Sequence, residues 1–407
     1  MDSFPQAGIE KTRGRVWLDR AWLAFALCIL LAVGVWVARG QACSYLATDF
    51  RGYYAAGLIA REHGLAAVYD PQMQVETQAA LLLDCPDGSA TPPRLHVLVP
   101  YLPIFKLLFL PLPELGFTNA FAAWSLLGLL VLLLYLARFS LALSVRVEAL
   151  RLAEWVVCFP VLANLFLGQI NILLVVALGE FFLASRRGRP FVAGLWLAGL
   201  LIKPHVLILL LPGLLLARRW KTLLGFGLGG FTILSASLLL VGTSGLQADI
   251  AIVRSFAGPT IASLPEMMNA RGLAFHLGRV LPSWTAWALA AALMIATALV
   301  VLSRWRRTPR PDRSLWLMLA TLAGTCVVAW HANLYLWMAL VPFLLALDSR
   351  GDLPLAYLVI WAFGPAVVFI PVYLLNPALA QPALAMSMLA ANIAVVVDAG
   401  RRMRVEV

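Results

Sequence analysis

Three ionisable side chains stand beside or within apolar stretches, where a charge is costly. Asp49 follows the first apolar run, Lys203 interrupts the stretch LLIKPHVLILLLP, and His331 follows Trp330 at the end of another run. A carboxylate held at the edge of a membrane can accept a proton from an attacking hydroxyl. Lysine is a good partner for a phosphate, and histidine can exchange protons near neutral pH. These residue types predict general-base catalysis next to a bound phosphate.

Each of these side chains also has a purely structural interpretation. Asp49 is a suitable N-cap for a helix that starts at Phe50 and stops at Gly64. Lys203 can extend its amine along the apolar surface to the membrane interface, and His331 can be an ordinary interfacial residue at a helix end. Capping needs only one carboxylate oxygen, so the structural and catalytic roles of Asp49 are compatible.

The composition is typical of an integral membrane protein. Of the 407 residues, 62% are hydrophobic and 13% are charged, whereas soluble domains carry about a quarter charged residues. Apolar runs recur along the whole chain with short polar breaks. We therefore predict an all-α polytopic bundle of about 12 transmembrane helices that forms a single membrane domain, residues 1–407. Chemistry must then use residues in the membrane or in the longer loops, 40–97 and 243–280.

Short basic clusters between the apolar runs set the predicted orientation. Cytoplasmic loops carry an excess of Lys and Arg, which places both termini in the cytoplasm of a multi-pass protein of the cell membrane. The first transmembrane helix then covers residues 19–39, loop 40–97 is extracytoplasmic, and residues 116–398 form the remaining helices. Because the net charge of +11 is distributed in these clusters, it argues against nucleic-acid binding.

Two stretches do not fit ordinary spans. Residues 96–113 contain four prolines and predict a re-entrant or interfacial segment, because proline removes a backbone hydrogen bond that a lipid-exposed helix needs. Residues 190–217 are too short for two full crossings and predict a hairpin with its apex at 202–205. On this topology the polar candidates gather on the extracytoplasmic side, namely Asp49, Gln169, Asn171, Lys203 and His331.

The stretch after Asp49, TDFRGYYAAGLIAREHG, carries its apolar residues at helical spacing. We therefore expect an amphipathic helix on the membrane surface, with Phe50, Tyr53 and Tyr54 at the level of the lipid headgroups. Such a helix would hold Asp49 near the plane of the lipid phosphates.

Other motifs are informative by their absence from the sequence. No zinc, Walker or dinucleotide motif stands in a suitable context, so no cofactor is expected. A divalent metal between Asp49 and a phosphate is an alternative, for which Asp70 is the only nearby second carboxylate.

Cys43 and Cys85 bracket much of the first outer loop, and whether they form a disulfide stays open.

Four segments together resemble one family, the GT-C type membrane glycosyltransferases of glycosyltransferase family 87. They are TDFRGYYAAGLIAREHGLAAVYDP, YLPIFKLLFLPL, GQINILL and AGLWLAGLLIKPHVLILLLP, and they occur in the family's order. The resemblance covers about residues 48–345. Leu102 replaces a proline of the family pattern, and the segment 267–275 matches it only loosely.

The resemblance implies a GT-C fold and a polyprenyl-phosphate sugar donor, with mannose as the first candidate. It implies that Asp49 is the catalytic base and that His331 lies near the sugar phosphate. Lys203 would bind the donor phosphate, together with Arg271 and His205. The side chains expected to line the substrates are Tyr53, Tyr54, Tyr101, Gln169, Asn171 and Asn269.

The leading hypothesis is an inverting glycosyltransferase that transfers the sugar to a hydroxyl of a lipid or glycan acceptor at the outer face of the membrane. Its partners would be these two substrates and the surrounding membrane lipids. A flippase or transporter for polyprenyl lipids is the rival, in which Lys203 would belong to a translocation path. A non-catalytic scaffold is a third alternative, and it would tolerate loss of Asp49.

Overall fold

The computed structural model describes residues 13–38, 48–83, 98–255, 264–308 and 314–403. Within these ranges the chain is helical and contains no strand. Cys43 and Cys85 lie outside them. The α-helices are α1 Arg13–Ala38, α2 Thr48–His63, α3 Pro71–Leu83, α4 Pro103–Lys106, α5 Phe117–Ala142, α6 Ala149–Val156, α7 Phe159–Leu167, α8 Ile172–Arg186, α9 Pro190–Ala198, α10 Leu210–Leu216, α11 Trp220–Ser255, α12 Ala270–Leu277, α13 Ser283–Arg307, α14 Leu315–Val328, α15 Val341–Ser349, α16 Leu355–Leu375 and α17 Pro377–Arg402.

Short 3-10 helices join or extend these elements. They are Leu65–Tyr69, Leu107–Phe109, Leu112–Leu115, Gly199–Ile202, Pro204–Leu207, Leu264–Glu266 and Leu334–Leu340. Their i to i+3 hydrogen bonds suit short connections rather than long spans.

Several helices are suited to a lipid environment. Among the described residues, α5, α11, α13 and α17 are long and apolar enough to cross a membrane, and α6 with α7, bent by 49°, would be a fifth span. Their outer surfaces are apolar: Phe231 is 69% exposed and Leu239 is 88% exposed. A contiguous apolar surface of this kind needs lipid around it. The chain is therefore a membrane protein.

The two proline-containing stretches are built from short pieces. Between residues 98 and 116 the structure has α4 and two 3-10 helices, none longer than four residues. Residues 190–217 form α9 and α10, with two 3-10 helices between them that meet at Lys203. Pro204 follows Lys203 directly and has no N–H to continue the first helix, which explains the break there.

Helix α2 differs from the expectation of a helix with aromatic residues among lipid headgroups. Phe50, Tyr53 and Tyr54 are at most 6% exposed, because they pack inside the protein. The Phe50 ring lies 5.4 Å from that of Phe121 and 6.2 Å from that of Trp124, both on α5. These aromatic side chains therefore do not contact lipid headgroups as expected. The helical spacing identified the apolar face correctly, but this face contacts protein rather than lipid.

The described residues of the predicted loop 243–280 are largely helical. Helix α11 runs to Ser255 with a break at Gly242, whose φ of 67° favours glycine. The segment after the break is therefore a helical arm and not a loop. This arm packs on the first-loop elements, where its Ile252 forms a small buried cluster with Tyr69 and with Val241, the residue before the break.

A buried ionic network joins α1 to two other helices. Arg15 contacts Asp348 on α15 at 2.9 Å, Glu154 on α6 at 3.0 Å and Asp19 on its own helix at 2.6 Å. All four side chains are less than a tenth exposed. Arg15 is thus the cation shared by three buried carboxylates, and Arg151 adds a hydrogen bond to the Asp348 carbonyl oxygen at 2.7 Å.

We expect Arg15→Met to destabilise the protein by about 3–5 kcal/mol, because it leaves buried carboxylates without their shared cation. Thermal unfolding in detergent measures the effect as a lower Tm. Arg20→Met is the matched control, because Arg20 lies on the same helix and is exposed. Equal unfolding temperatures for the two variants would contradict the assigned role of Arg15.

Candidate active site

Gln169 connects two of the residues that the sequence singled out. Its Oε1 accepts a hydrogen bond from Lys203 Nζ at 2.8 Å and another from the Tyr53 hydroxyl at 3.2 Å. Gln169 is also hydrogen-bonded to the Asp49 carboxylate. Because Oε1 already accepts two bonds and a carboxylate cannot donate, the side-chain amide N–H must be the donor to Asp49. One amide therefore orients both the carboxylate and the lysine.

The turn that carries Gln169 is fixed by local geometry. Helix α7 ends at Leu167 and is followed by Gly168, whose φ of 70° is left-handed. A Cβ at Gly168 would lie 2.4 Å from Cβ of Phe50, so only glycine lets α2 approach this closely. Asn164 on α7 then donates to the Gln169 carbonyl oxygen at 3.1 Å. These contacts place the Gln169 side chain against the first turn of α2.

Asp49 lies in the first turn of α2, because the helix begins at Thr48 and not at Phe50. The expected N-cap role before Phe50 is therefore wrong, although an acidic group in the first turn still suits the helix dipole. Burial raises the pKa of the Asp49 carboxyl above its ordinary value. The hydrogen bond from Gln169 and the positive charges of Lys203 and Arg51 act in the opposite direction.

Tyrosines form one wall beside this group. The hydroxyls of Tyr53 and Tyr101 are 2.9 Å apart, and Tyr101 must donate because Tyr53 donates to Gln169. The Tyr69 hydroxyl donates to the Tyr101 carbonyl oxygen at 2.8 Å. The Tyr53 ring stacks on Phe109 with centroids 4.6 Å apart. The elements of the first loop thus hold Tyr53 and Tyr101 in place.

The segment after α14 also lies beside this group. Lys203 Nζ lies 5.0 Å from the centroid of the Tyr335 ring, and Asn333 donates to the Tyr335 hydroxyl at 2.9 Å. Asn171 is fully buried and donates to the Tyr335 carbonyl oxygen at 3.1 Å. The position of Asn171 indicates that it holds this segment in place.

His331 lies near Lys203, Arg271 and His205. The rings of His205 and His331 have centroids 6.2 Å apart. His331 lies in the loop between α14 and Leu334–Leu340, where burial and then the positive charges of Lys203 and Arg271 lower its pKa to about 4. His331 is therefore neutral at neutral pH. It can donate one hydrogen bond to an anion, whereas Lys203 and Arg271 supply the charge.

Other candidate side chains lie apart from this group or serve structural roles. Tyr54 packs on Phe50 and on Phe117, with centroids 6.2 and 5.3 Å away. Asn269 is fully buried and caps α12 by accepting from the Gly272 N–H at 2.8 Å. Asp70, the second carboxylate considered for a metal, accepts from the backbone N–H of Gln72 at 2.8 Å at the start of α3.

Two residues near Asp49 were missed by the sequence reasoning. Arg51 is only 1% exposed, and its charge acts on Asp49. Tyr335 lies close enough to Lys203 for its ring to contact the ammonium group. Arg51 is an arginine in an amphipathic helix and Tyr335 is an aromatic residue in an apolar run, so neither stood out. The signals that could have found them were their neighbours, since Arg51 lies two residues after Asp49 and Tyr335 lies four residues after His331.

Comparison with known proteins now bears on this arrangement. The family model for glycosyltransferase family 87 matches residues 100–330, more than half of the chain. The matched range includes Gln169, Lys203 and Arg271, and His331 follows its last residue directly. No curated protein and no solved structure matches the chain significantly. Because this match covers more than half of the chain, the membrane protein belongs to glycosyltransferase family 87.

Proposed function

We propose that this membrane glycosyltransferase is an inverting enzyme that uses a polyprenyl-phosphate sugar, with mannose as the first candidate. The acceptor is a hydroxyl group of a lipid or glycan. The observation that supports the proposal most directly is that one amide, Gln169, bonds both Asp49 and Lys203. A carboxylate and a cation held at a fixed separation suit the attacking hydroxyl on one side and the departing phosphate on the other.

In the proposed reaction the acceptor oxygen attacks the anomeric carbon from the face opposite the phosphate. Asp49 accepts the hydroxyl proton, and the bond between the carbon and the phosphate oxygen breaks with its electron pair on the phosphate. Lys203 and Arg271 stabilise the charge that develops there, and neutral His331 donates a hydrogen bond. These interactions are stronger in the transition state than in the ground state, so they lower the barrier.

The proposal includes the predicted topology. About 12 transmembrane helices in a GT-C arrangement would place both termini in the cytoplasm and the site at the extracytoplasmic face of the cell membrane. The break at Lys203 between α9 and α10 supports a site at the membrane surface, because a lysine in an apolar segment is costly unless it meets an anion such as a lipid-linked phosphate.

The test is a transfer assay with purified protein in detergent. The protein is incubated with radiolabelled polyprenyl-phosphate-mannose and a lipid extract, and label in a new product is measured. A panel of other polyprenyl-phosphate sugars follows if mannose is not transferred. Turnover in detergent supports an enzyme, since a flippase has no activity to show without a bilayer. Failure with the whole panel would refute the proposed donor class.

We also expect a characteristic pH dependence. The rate constant kcat/KM should fall as the pH decreases through the pKa of Asp49, because only the ionised carboxylate can accept a proton. Gln169→Leu removes a hydrogen bond that lowers this pKa. The acidic limb of the pH profile should therefore move to higher pH. Gln72→Leu, an exposed glutamine on α3, is the control and should leave the limb in place. An unshifted limb in Gln169→Leu would argue against Asp49 as the base.

A further inference from the structure

Hydrogen bonds join the segment that carries Arg271 to the segment that carries His331. The Met268 N–H donates to the Ala332 carbonyl oxygen at 3.0 Å. The Asn269 side-chain amide donates to the Ala329 carbonyl oxygen at 2.8 Å. These bonds lie on either side of Trp330 and His331. They join the start of α12 to the loop that follows α14.

A stack of side chains crosses this junction. The Arg271 guanidinium carbon lies 4.5 Å from the centroid of the Trp330 ring. Trp330 in turn stacks on Trp287 of α13, with centroids 5.9 Å apart and planes inclined by 17°. Arg271 is 2% exposed, whereas Trp330 and Trp287 are 41% and 40% exposed. The stack therefore runs from a half-exposed aromatic pair to a buried cation.

We propose that Trp330 is a positioning residue that holds the Arg271 guanidinium against the site. The inference rests on the proposed function, in which Arg271 binds the donor phosphate. Contact with an aromatic ring restricts the guanidinium without removing its charge, and a guanidinium suits phosphate oxygens. A flexible arginine is thereby held in one orientation before the donor arrives, which reduces the entropy lost on binding.

A competing explanation is that Trp330 is only an aromatic anchor at the membrane interface, where tryptophan is common. Trp284 provides the control. It lies on α13, the helix that carries Trp287, and is 75% exposed. Trp284→Leu removes an exposed tryptophan from the same helix without touching the stack.

The first experiment compares donor KM and kcat for wild type, Trp330→Leu, Trp330→Phe and Trp284→Leu. Trp330→Leu should raise the donor KM about tenfold, because the cation–π contact is lost. Trp330→Phe keeps a ring face and should stay within about threefold of wild type. In the Arg271→Lys background, Trp330→Leu should add little further loss. An unchanged KM in Trp330→Leu, or an equal rise in Trp284→Leu, would overturn the proposal.

Hydrogen exchange gives a second readout that does not depend on catalysis. In lipid nanodiscs, the backbone amides of residues 267–273 should exchange faster in Trp330→Leu than in wild type or Trp284→Leu. Equal exchange in all three proteins would overturn the positioning role. If the wild type transfers no sugar from any polyprenyl phosphate, the proposed function fails, and the exchange rates alone decide whether Trp330 positions Arg271.

Discussion

Asp49→Asn should lower kcat for sugar transfer by about 10²- to 10⁴-fold, which is the range that a general base contributes. Asparagine has the shape of aspartate, and its Oδ1 can still accept the hydrogen bond from Gln169. The arrangement of Gln169, Tyr53 and Lys203 should therefore survive the substitution. Only the ability to accept the proton is lost, so the donor KM should change little.

The control for this prediction is Asp70→Asn, the same chemical change in the same loop. Asp70 accepts from the backbone N–H groups of Gln72 and Met73 at 2.8 and 3.2 Å, and an asparagine there can cap in the same way. We expect Asp70→Asn to transfer sugar at the wild-type rate. Membranes with equal amounts of each folded variant are supplied with radiolabelled polyprenyl-phosphate-mannose and a lipid extract. Wild-type rates in Asp49→Asn would remove Asp49 from catalysis and favour a transporter or a scaffold.

Much of the site was accessible from the sequence because charges in apolar runs are conspicuous. Lys203 and Asp49 stand out for this reason, and the structure connects them through Gln169. The helix break at residues 202–205 was predicted from chain length and from Pro204, and the structure has it at Lys203. The family assignment also followed from the order of short motifs, and it is confirmed by the match over residues 100–330.

The remaining features of the fold and the site depend on tertiary contacts, which a pattern of residue types does not reveal. Helical spacing showed which face of α2 is apolar, but lipid and protein are equally suitable partners for such a face. The structure packs Phe50 against α5, and the glycine at 168 leaves room for it. Similarly, an asparagine near a site can face a substrate or hold the backbone. Asn171 and Asn269 are both buried and bonded to neighbouring segments, which no spacing rule indicates.

The second large effect concerns Lys203. Lys203→Met should lower kcat/KM by about 10²- to 10³-fold, because the transition state loses one electrostatic contact to its developing charge. Methionine is similar in length and keeps the apolar contacts. The Gln169 oxygen would still accept from Tyr53. Lys203→Arg restores the positive charge, but its planar fork fits a space shaped for a compact ammonium poorly, so we expect only partial recovery.

A stability measurement separates a functional lysine from a structural one. Lys203 is 8% exposed, and its burial lowers the stability of the charged form. Removing a buried cation held for catalysis should leave Tm unchanged or raise it, whereas removing a structural ion-pair partner should lower it. Lys221→Met, an exposed lysine at the start of α11, is the control for both activity and Tm. Loss of transfer with an undiminished Tm would mean that Lys203 is retained for the donor phosphate. Loss of both together would make it a structural residue, with Arg271 and His331 left to bind the phosphate.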